Sequence, residues 1–120
     1  MMRVLLKSKI SFATITDAQL YYKGSITIDQ KIMEAADLIE GERVDILNLN
    51  TGARLQTYVI KGKPGSGVIC LNGPAARMGL KSDKIVIISY GFYNEKETGA
   101  AKPKYVELDD ENRITNTYMA

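Results

Sequence analysis

Apolar and polar positions alternate with a period of two along much of this chain, a pattern that predicts strands rather than helices. From about Val4 to Ile15, Leu5, Lys7, Lys9 and Ser11 alternate against Val4, Leu6, Ser8 and Ile10, so this stretch is expected to be a strand. Leu20-Tyr21-Tyr22 and Ile26-Thr27-Ile28 flank Lys23-Gly24-Ser25 and predict two extended pieces joined at a tight point. The period then changes. Ile32, Ala35, Ala36 and Ile39 recur at helical spacing behind Asp29, an expected N-cap, and Gly41 is the expected stop. Arg43–Leu49 and Arg54–Ile60 alternate again around Asn50-Thr51-Gly52, which predicts a hairpin. Lys61–Gly67 is a loop by its Gly and Pro content, and Val68–Leu71 is a short apolar strand. Asn72–Gly79 reads as a strand end entering one helical turn, with Pro74 at the first helical position and Gly79 at the exit. The continuous β-branched run Ile85–Ser89 predicts a strand buried on both faces. Beyond Asn94 the chain is polar. One further strand is expected at Tyr105–Leu108 and a turn at Asp109–Asn112, with the tail from about residue 110 disordered.

With no internal repeat and no linker, residues 1–120 form one expected domain, mainly β, a barrel or sandwich with short helices. Hydrophobic residues at 45% and charged residues at 25% suit an ordinary globular core. No apolar run is long enough for a membrane span, and the N-terminal residues lack the apolar core and cleavage site of a signal peptide. A single cysteine, Cys70, excludes an internal disulfide and fits a reducing compartment, so a cytoplasmic location is expected. Its apolar surroundings make it a small core residue with no catalytic role. The net charge of +2, without a basic block, argues against nucleic acid as a partner.

The absence of histidine excludes most. A nitrogen/sulfur metal site is not expected, and His-dependent triads are impossible. An enzyme of this composition must move protons with Tyr, Lys, Cys or carboxylates, or bring in another reactive group. Gly24-Ser25 offers one route. A serine hydroxyl can attack the preceding carbonyl where the backbone is strained; the peptide becomes an ester, and elimination leaves a carbonyl-bearing residue. Glycine before the serine tolerates the necessary backbone angles. The dipeptide alone reads as a plain turn, and it recurs in the loop at Gly65-Ser66.

The context carries more. Tyr22-Lys23-Gly24-Ser25-Ile26-Thr27-Ile28-Asp29 resembles the self-processing site of the pyruvoyl-dependent aspartate 1-decarboxylases. Ile15-Thr16-Asp17-Ala18, the hairpin Asn50–Tyr58 and Asn72-Gly73-Pro74-Ala75-Ala76-Arg77 resemble the same family in matching order, over about Arg3 to Tyr90. The resemblance implies a double-psi β-barrel assembled as a homotetramer, with active sites at subunit interfaces. It further implies cleavage into residues 1–24 and 25–120, with Ser25 becoming a covalent pyruvoyl group. That group would form a Schiff base with L-aspartate and release β-alanine and carbon dioxide, a lyase reaction supplying pantothenate synthesis. The chemistry is coherent: the carbanion left by decarboxylation needs an electron sink, and a ketone built from the chain supplies one without pyridoxal phosphate or a metal.

Such a site also needs a grip on a carboxylate and an acid to return a proton to the α-carbon. Arg54 and Tyr58, four residues apart on one strand face, sit about 13 Å from each other along it. Unaided, they read as an exposed arginine and a half-buried tyrosine on a hairpin. The resemblance implies that Arg54 binds the substrate carboxylate and Tyr58 donates the proton. It also assigns Thr57 to substrate and processing, although alternation points Thr57 to the face opposite Tyr58; a bulge or a strand end would reconcile the two. Lys9, otherwise a solvated lysine on a strand edge, matches a cation that reaches the site from a neighbouring subunit. Gly73, Pro74 and Ala75 match the backbone that binds substrate just before a helix start, where Pro74 lacks the N–H of the alanine many relatives carry. Asn72, otherwise a helix cap, matches the polar residue beside the reactive group, and Tyr22 a supporting one. Ser11-Phe12 departs from the His-Arg of many relatives. Any part that histidine plays in maturation falls here to Ser11, Tyr22, Thr57 or water, and a maturation factor is left open. Two alternatives remain at this point: an uncleaved, inactive proenzyme, and a non-catalytic β-barrel interaction module such as a swapped-hairpin DNA-binding domain.

Overall fold

The computed structural model describes residues 1–120. In chain order the elements are β1 (Arg3–Thr14), β2 (Asp17–Gln19), β3 (Ser25–Asp29), α1 (Gln30–Ala35), β4 (Arg43–Asn48), β5 (Arg54–Gly62), β6 (Ile69–Asn72), a 3₁₀ turn (Gly73–Arg77), β7 (Lys84–Tyr93), α2 (Glu95–Thr98), β8 (Lys104–Leu108) and β9 (Ile114–Met119). The strands hydrogen-bond in the order β2-β6-β3-β5-β4-β7-β1-β8-β9. The pairs β2–β6, β3–β5 and β1–β8 are parallel, and the remaining pairs are antiparallel. This mainly β arrangement, with crossovers between short strands, is compatible with a double-psi β-barrel. The core is built of β-branched residues, Ile10, Ile26, Ile28, Ile46, Ile69, Ile85 and Ile87 all being fully buried, as suits side chains that pack on a pleated surface. No helix is long and apolar enough to cross a membrane.

The Asn50-Thr51-Gly52 hairpin forms as expected, with Arg43 opposite Tyr58 and Leu47 opposite Arg54. Asp29 caps α1 by accepting from the Lys31 N–H, and the same buried carboxylate accepts from Gly65 and Gly67 N–H, tying the following loop to β3. The helix is shorter than its apolar spacing suggests. It ends at Ala35, Asp37 turns in the left-handed region (φ 56°), and Leu38 rather than Ile39 enters the core. Ile39 is 70% exposed, and Gly41 is not the stop. β7 also differs from expectation: Ile85, Ile87 and Ser89 are buried, while Val86 and Ile88 are only partly covered and Tyr90 is exposed. Its β-branched run therefore covers the core with one face and leaves the other outside.

The tail is the largest correction, because residues 114–119 form β9, antiparallel to β8, with Tyr105 and Tyr118 stacked at 4.9 Å. Buried Asn112 anchors it, accepting from Thr14 N–H and donating to the carbonyls of Thr14 and Gly67. All six β9 residues are exposed, so no alternating pattern marks the strand in sequence.

Candidate active site

Ser25 opens β3 opposite Asn72 of β6, and Thr27 lies opposite Cys70. Strand alternation turns Ile26, Ile28, Ile69 and Leu71 to the core and sets Ser25, Thr27, Cys70 and Asn72 together on the other face. Asn72 occupies the N-cap position of the 3₁₀ turn but makes no capping bond. Instead its Nδ2 donates to Ser25 Oγ at 3.0 Å and to Thr27 Oγ1 at 2.9 Å, while its Oδ1 accepts from the Cys70 thiol at 3.3 Å. The Ser25 hydroxyl, fully buried, donates to the Lys23 carbonyl at 3.0 Å. Burial, reinforced by the nearby Asp17 carboxylate, raises the Cys70 pKa above its ordinary value and keeps the thiol protonated, hence a donor at neutral pH.

Gly73 backs directly onto the Tyr22–Gly24 segment. Its φ is +63°, and a Cβ there would stand 2.7 Å from the Tyr22 carbonyl oxygen and 2.9 Å from the Gly24 nitrogen. All the atoms it would meet are backbone, so the clash has no flexible side chain to relieve it. Gly73→Ala is expected to cost about 2 kcal/mol or more of stability. Thermal melting checks this, and a parental melting temperature would contradict the tight approach. Gly73, Pro74 and Ala75 lie within the 3₁₀ turn rather than ahead of it, with Pro74 in its first two positions.

The Thr57–Tyr58 conflict is resolved by a strand end. β5 pairs with β3 only from Val59 onward, in parallel register with Ile26, whereas over Arg54–Tyr58 it pairs with β4 alone and without a bulge. Because β3 begins at Ser25, the edge of β5 beside Gly24 is open, and side chains from both its faces reach that edge. Gly24, Leu55, Gln56, Thr57, Tyr58, Pro74, Ala75 and Met78 accordingly line one cleft of about 520 Å³. Tyr58 is 38% exposed at its mouth. Arg54 is exposed on the same face of β5 as Tyr58 but is not part of the cleft wall. Exposed Tyr22 contributes its backbone to the cradle.

Lys9 is not brought to this cleft. It lies on β1 opposite Ile88 and Tyr105, three strands from β5, about 14 Å away across the sheet. Ser11 sits opposite Glu107, and Phe12 occupies a bulge at φ 63°. Sequence reasoning missed Thr27 and gave Cys70 no contact with the site. The usable signal was the two-residue spacing of Ser25–Thr27 and Cys70–Asn72, which acquires meaning only once β3 is known to pair with β6. No group of three or more Cys, Asp or Glu side chains is arranged to hold a metal ion.

The aspartate decarboxylase family model matches residues 1–115. The chain belongs to the aspartate decarboxylase family. Among its relatives, the aspartate 1-decarboxylase of Heliobacterium modesticaldum is 53% identical over 114 residues, covering 95% of this chain and 86% of that protein. The enzyme of the same name from Bacillus cereus strain B4264 is 52% identical over 114 residues, covering 95% and 90%. That from Dehalococcoides mccartyi strain 195 is 55% identical over 111 residues, covering 92% and 90%. Membership in the aspartate decarboxylase family removes the non-catalytic interaction module from the alternatives.

Proposed function

We propose that this chain decarboxylates L-aspartate to β-alanine, after cutting itself between Gly24 and Ser25 and converting Ser25 into a pyruvoyl group. The observation that carries the reading is the convergence of the buried Ser25 hydroxyl, the Asn72 amide and the Gly24–Thr57–Tyr58 cleft at one strand end. The residues present fit a group made from Ser25: Gly73 leaves room for the chain where a Cβ would fill it, and Asn72 already aims a donor at residue 25.

In processing, the Ser25 hydroxyl adds to the Gly24 carbonyl carbon. The C–N bond breaks as the C–O bond forms, giving an ester and a free amine on residue 25. Removal of the residue 25 α-proton then breaks the Cβ–O bond, releasing Gly24 as a carboxylate. The resulting enamine takes up one water and loses ammonia, which leaves a ketone at the new N-terminus. That ketone supplies the electron sink for the pair left behind by carbon dioxide. The rest is done by ordinary side chains. The Arg54 guanidinium binds the substrate side-chain carboxylate in two-point fashion. The Tyr58 phenol returns a proton to the α-carbon. Thr57 contacts substrate, Pro74 and Ala75 form the opposing wall with Leu55 and Met78 adding apolar lining, and Gly73 backs the Gly24 backbone. Release of β-alanine fits a role in supplying pantothenate synthesis.

A homotetramer with shared sites is part of the same proposal, and the outward face of β5-β4-β7-β1 supports it. Register aligns Gln56, Asp45, Ile88 and Lys9 across that face. Exposed Val4, Tyr90 and Phe92 adjoin them. A second copy seated there would bring its own Lys9 toward Arg54 and Tyr58, which Lys9 of the same chain does not approach. Phe92→Glu is expected to reduce the assembly to smaller species by light scattering and to lower activity at least tenfold, since burying an unpaired charge costs several kcal/mol. A variant that stays assembled and active would contradict this interface.

Arg54→Ala tests the substrate assignment. Loss of a charge-assisted contact of about 1.5–3 kcal/mol raises KM for aspartate roughly 10- to 100-fold, while the chain is still cut. An unchanged KM would remove Arg54 from the site.

A further inference from the structure

We infer that Cys70 and Thr27 are a positioning pair that holds the Asn72 amide against residue 25 both before and after the Gly24–Ser25 bond is cut. The inference rests on the processing of Ser25 proposed above and concerns how the chain keeps its donor in place through that change. The Asn72 amide has one acceptor oxygen and two N–H donors, and all three are in use. Oδ1 accepts from the Cys70 thiol, one N–H goes to Thr27 Oγ1, and the other goes to Ser25 Oγ.

Processing removes only the last partner, because the Ser25 oxygen departs with the Gly24 carboxylate. An amide anchored by Ser25 alone would be free to turn away at that moment. Here two anchors survive on the strands that flank it, and Thr27 faces Cys70 directly across the β3–β6 ladder. The freed N–H stays aimed at residue 25, where it can donate to an oxygen on that residue. The thiol also sets the sense of the amide. Its proton reaches Oδ1, and Ser25 Oγ, whose own proton goes to the Lys23 carbonyl, can only accept, so the orientation with both N–H groups toward the hydroxyls is the better satisfied one. Cys70 and Thr27 both bond to the Asn72 amide, and it is through that amide that they act.

Thr27→Val keeps the side-chain shape and deletes the hydroxyl; Cys70→Ala deletes the donor. Thr27→Ser and Cys70→Ser keep a hydroxyl at each place. The full-length chains are followed for cleavage by timed denaturing mass spectrometry, and then for kcat and KM per cleaved chain. Thr27→Val and Cys70→Ala should each slow cleavage and lower kcat about five- to tenfold, the size of one hydrogen bond, with KM within about twofold of the parent. The serine variants should recover most of both losses. Parental cleavage and kcat in Thr27→Val and Cys70→Ala overturn the pairing, as do serine variants that fall equally far, which would mean packing alone. A parent chain that never cuts overturns the processing reading and this inference with it; a cut parent with indifferent variants overturns the pairing alone.

Discussion

Ser25→Ala is expected to give a folded chain that is never cut and forms no β-alanine. The substitution removes one oxygen from a position that is completely buried at the head of β3. Structurally the loss is limited. Asn72 keeps its bonds to Thr27 and Cys70, and one N–H is left without a partner, at a cost of about 1–3 kcal/mol. A domain of this kind has roughly 5–15 kcal/mol to lose, so it stays native. Chemically the loss is complete, because no other side chain can form the ester at that bond. Circular dichroism and denaturing mass spectrometry of the variant check both halves. A cut Ser25→Ala chain would mean that another nucleophile opens the bond.

Tyr58→Phe should separate the two stages of the proposed chemistry. The ring stays on the open edge of β5, 38% exposed, and losing its hydroxyl there should change stability by no more than about 0.5 kcal/mol. Processing is expected to proceed. Decarboxylation should fall about 10²- to 10⁴-fold in kcat, the typical contribution of a positioned general acid, with KM little changed. Full activity in a cleaved Tyr58→Phe chain would show that a different acid returns the proton.

Much of this site was legible because its parts are local. The Asp29 cap and the hairpin turn at Asn50–Gly52 follow from single-residue stereochemistry, and the structure has both; Pro74 enters the predicted turn one position later than expected, behind Gly73. What sequence left open depended on pairing between distant segments. Thr57 and Tyr58 face opposite ways, as period two requires, yet they share a cleft because β3 starts too late to cover the edge of β5. Asn72 had the look of a helix cap, and only the β3–β6 ladder shows that its amide is committed to Ser25 and Thr27. Cys70 reads as core by its apolar neighbours and is indeed buried, but its thiol points along the polar face of the ladder. β9 escaped because a strand without a buried face carries no hydrophobic signature; its anchor, Asn112, grips backbone that is nearly one hundred residues earlier in the chain.

The open β5 edge also bears on the missing histidine. Ser11 faces Glu107 of β8, and β1 lies four strands from β3 in the sheet order. The groups nearest the proposed cleavage are those of β3, β6 and the open strand edge: Asn72, Thr57 and the Lys23 carbonyl that accepts from the Ser25 hydroxyl.

Denaturing mass spectrometry of the purified chain tests the central claim most directly. The account predicts two species, the 24 residues Met1–Gly24 ending in a free carboxylate and the 96 residues from position 25 to Ala120 beginning with a ketone in place of an amine. A single intact chain of 120 residues that forms no β-alanine from aspartate would contradict it.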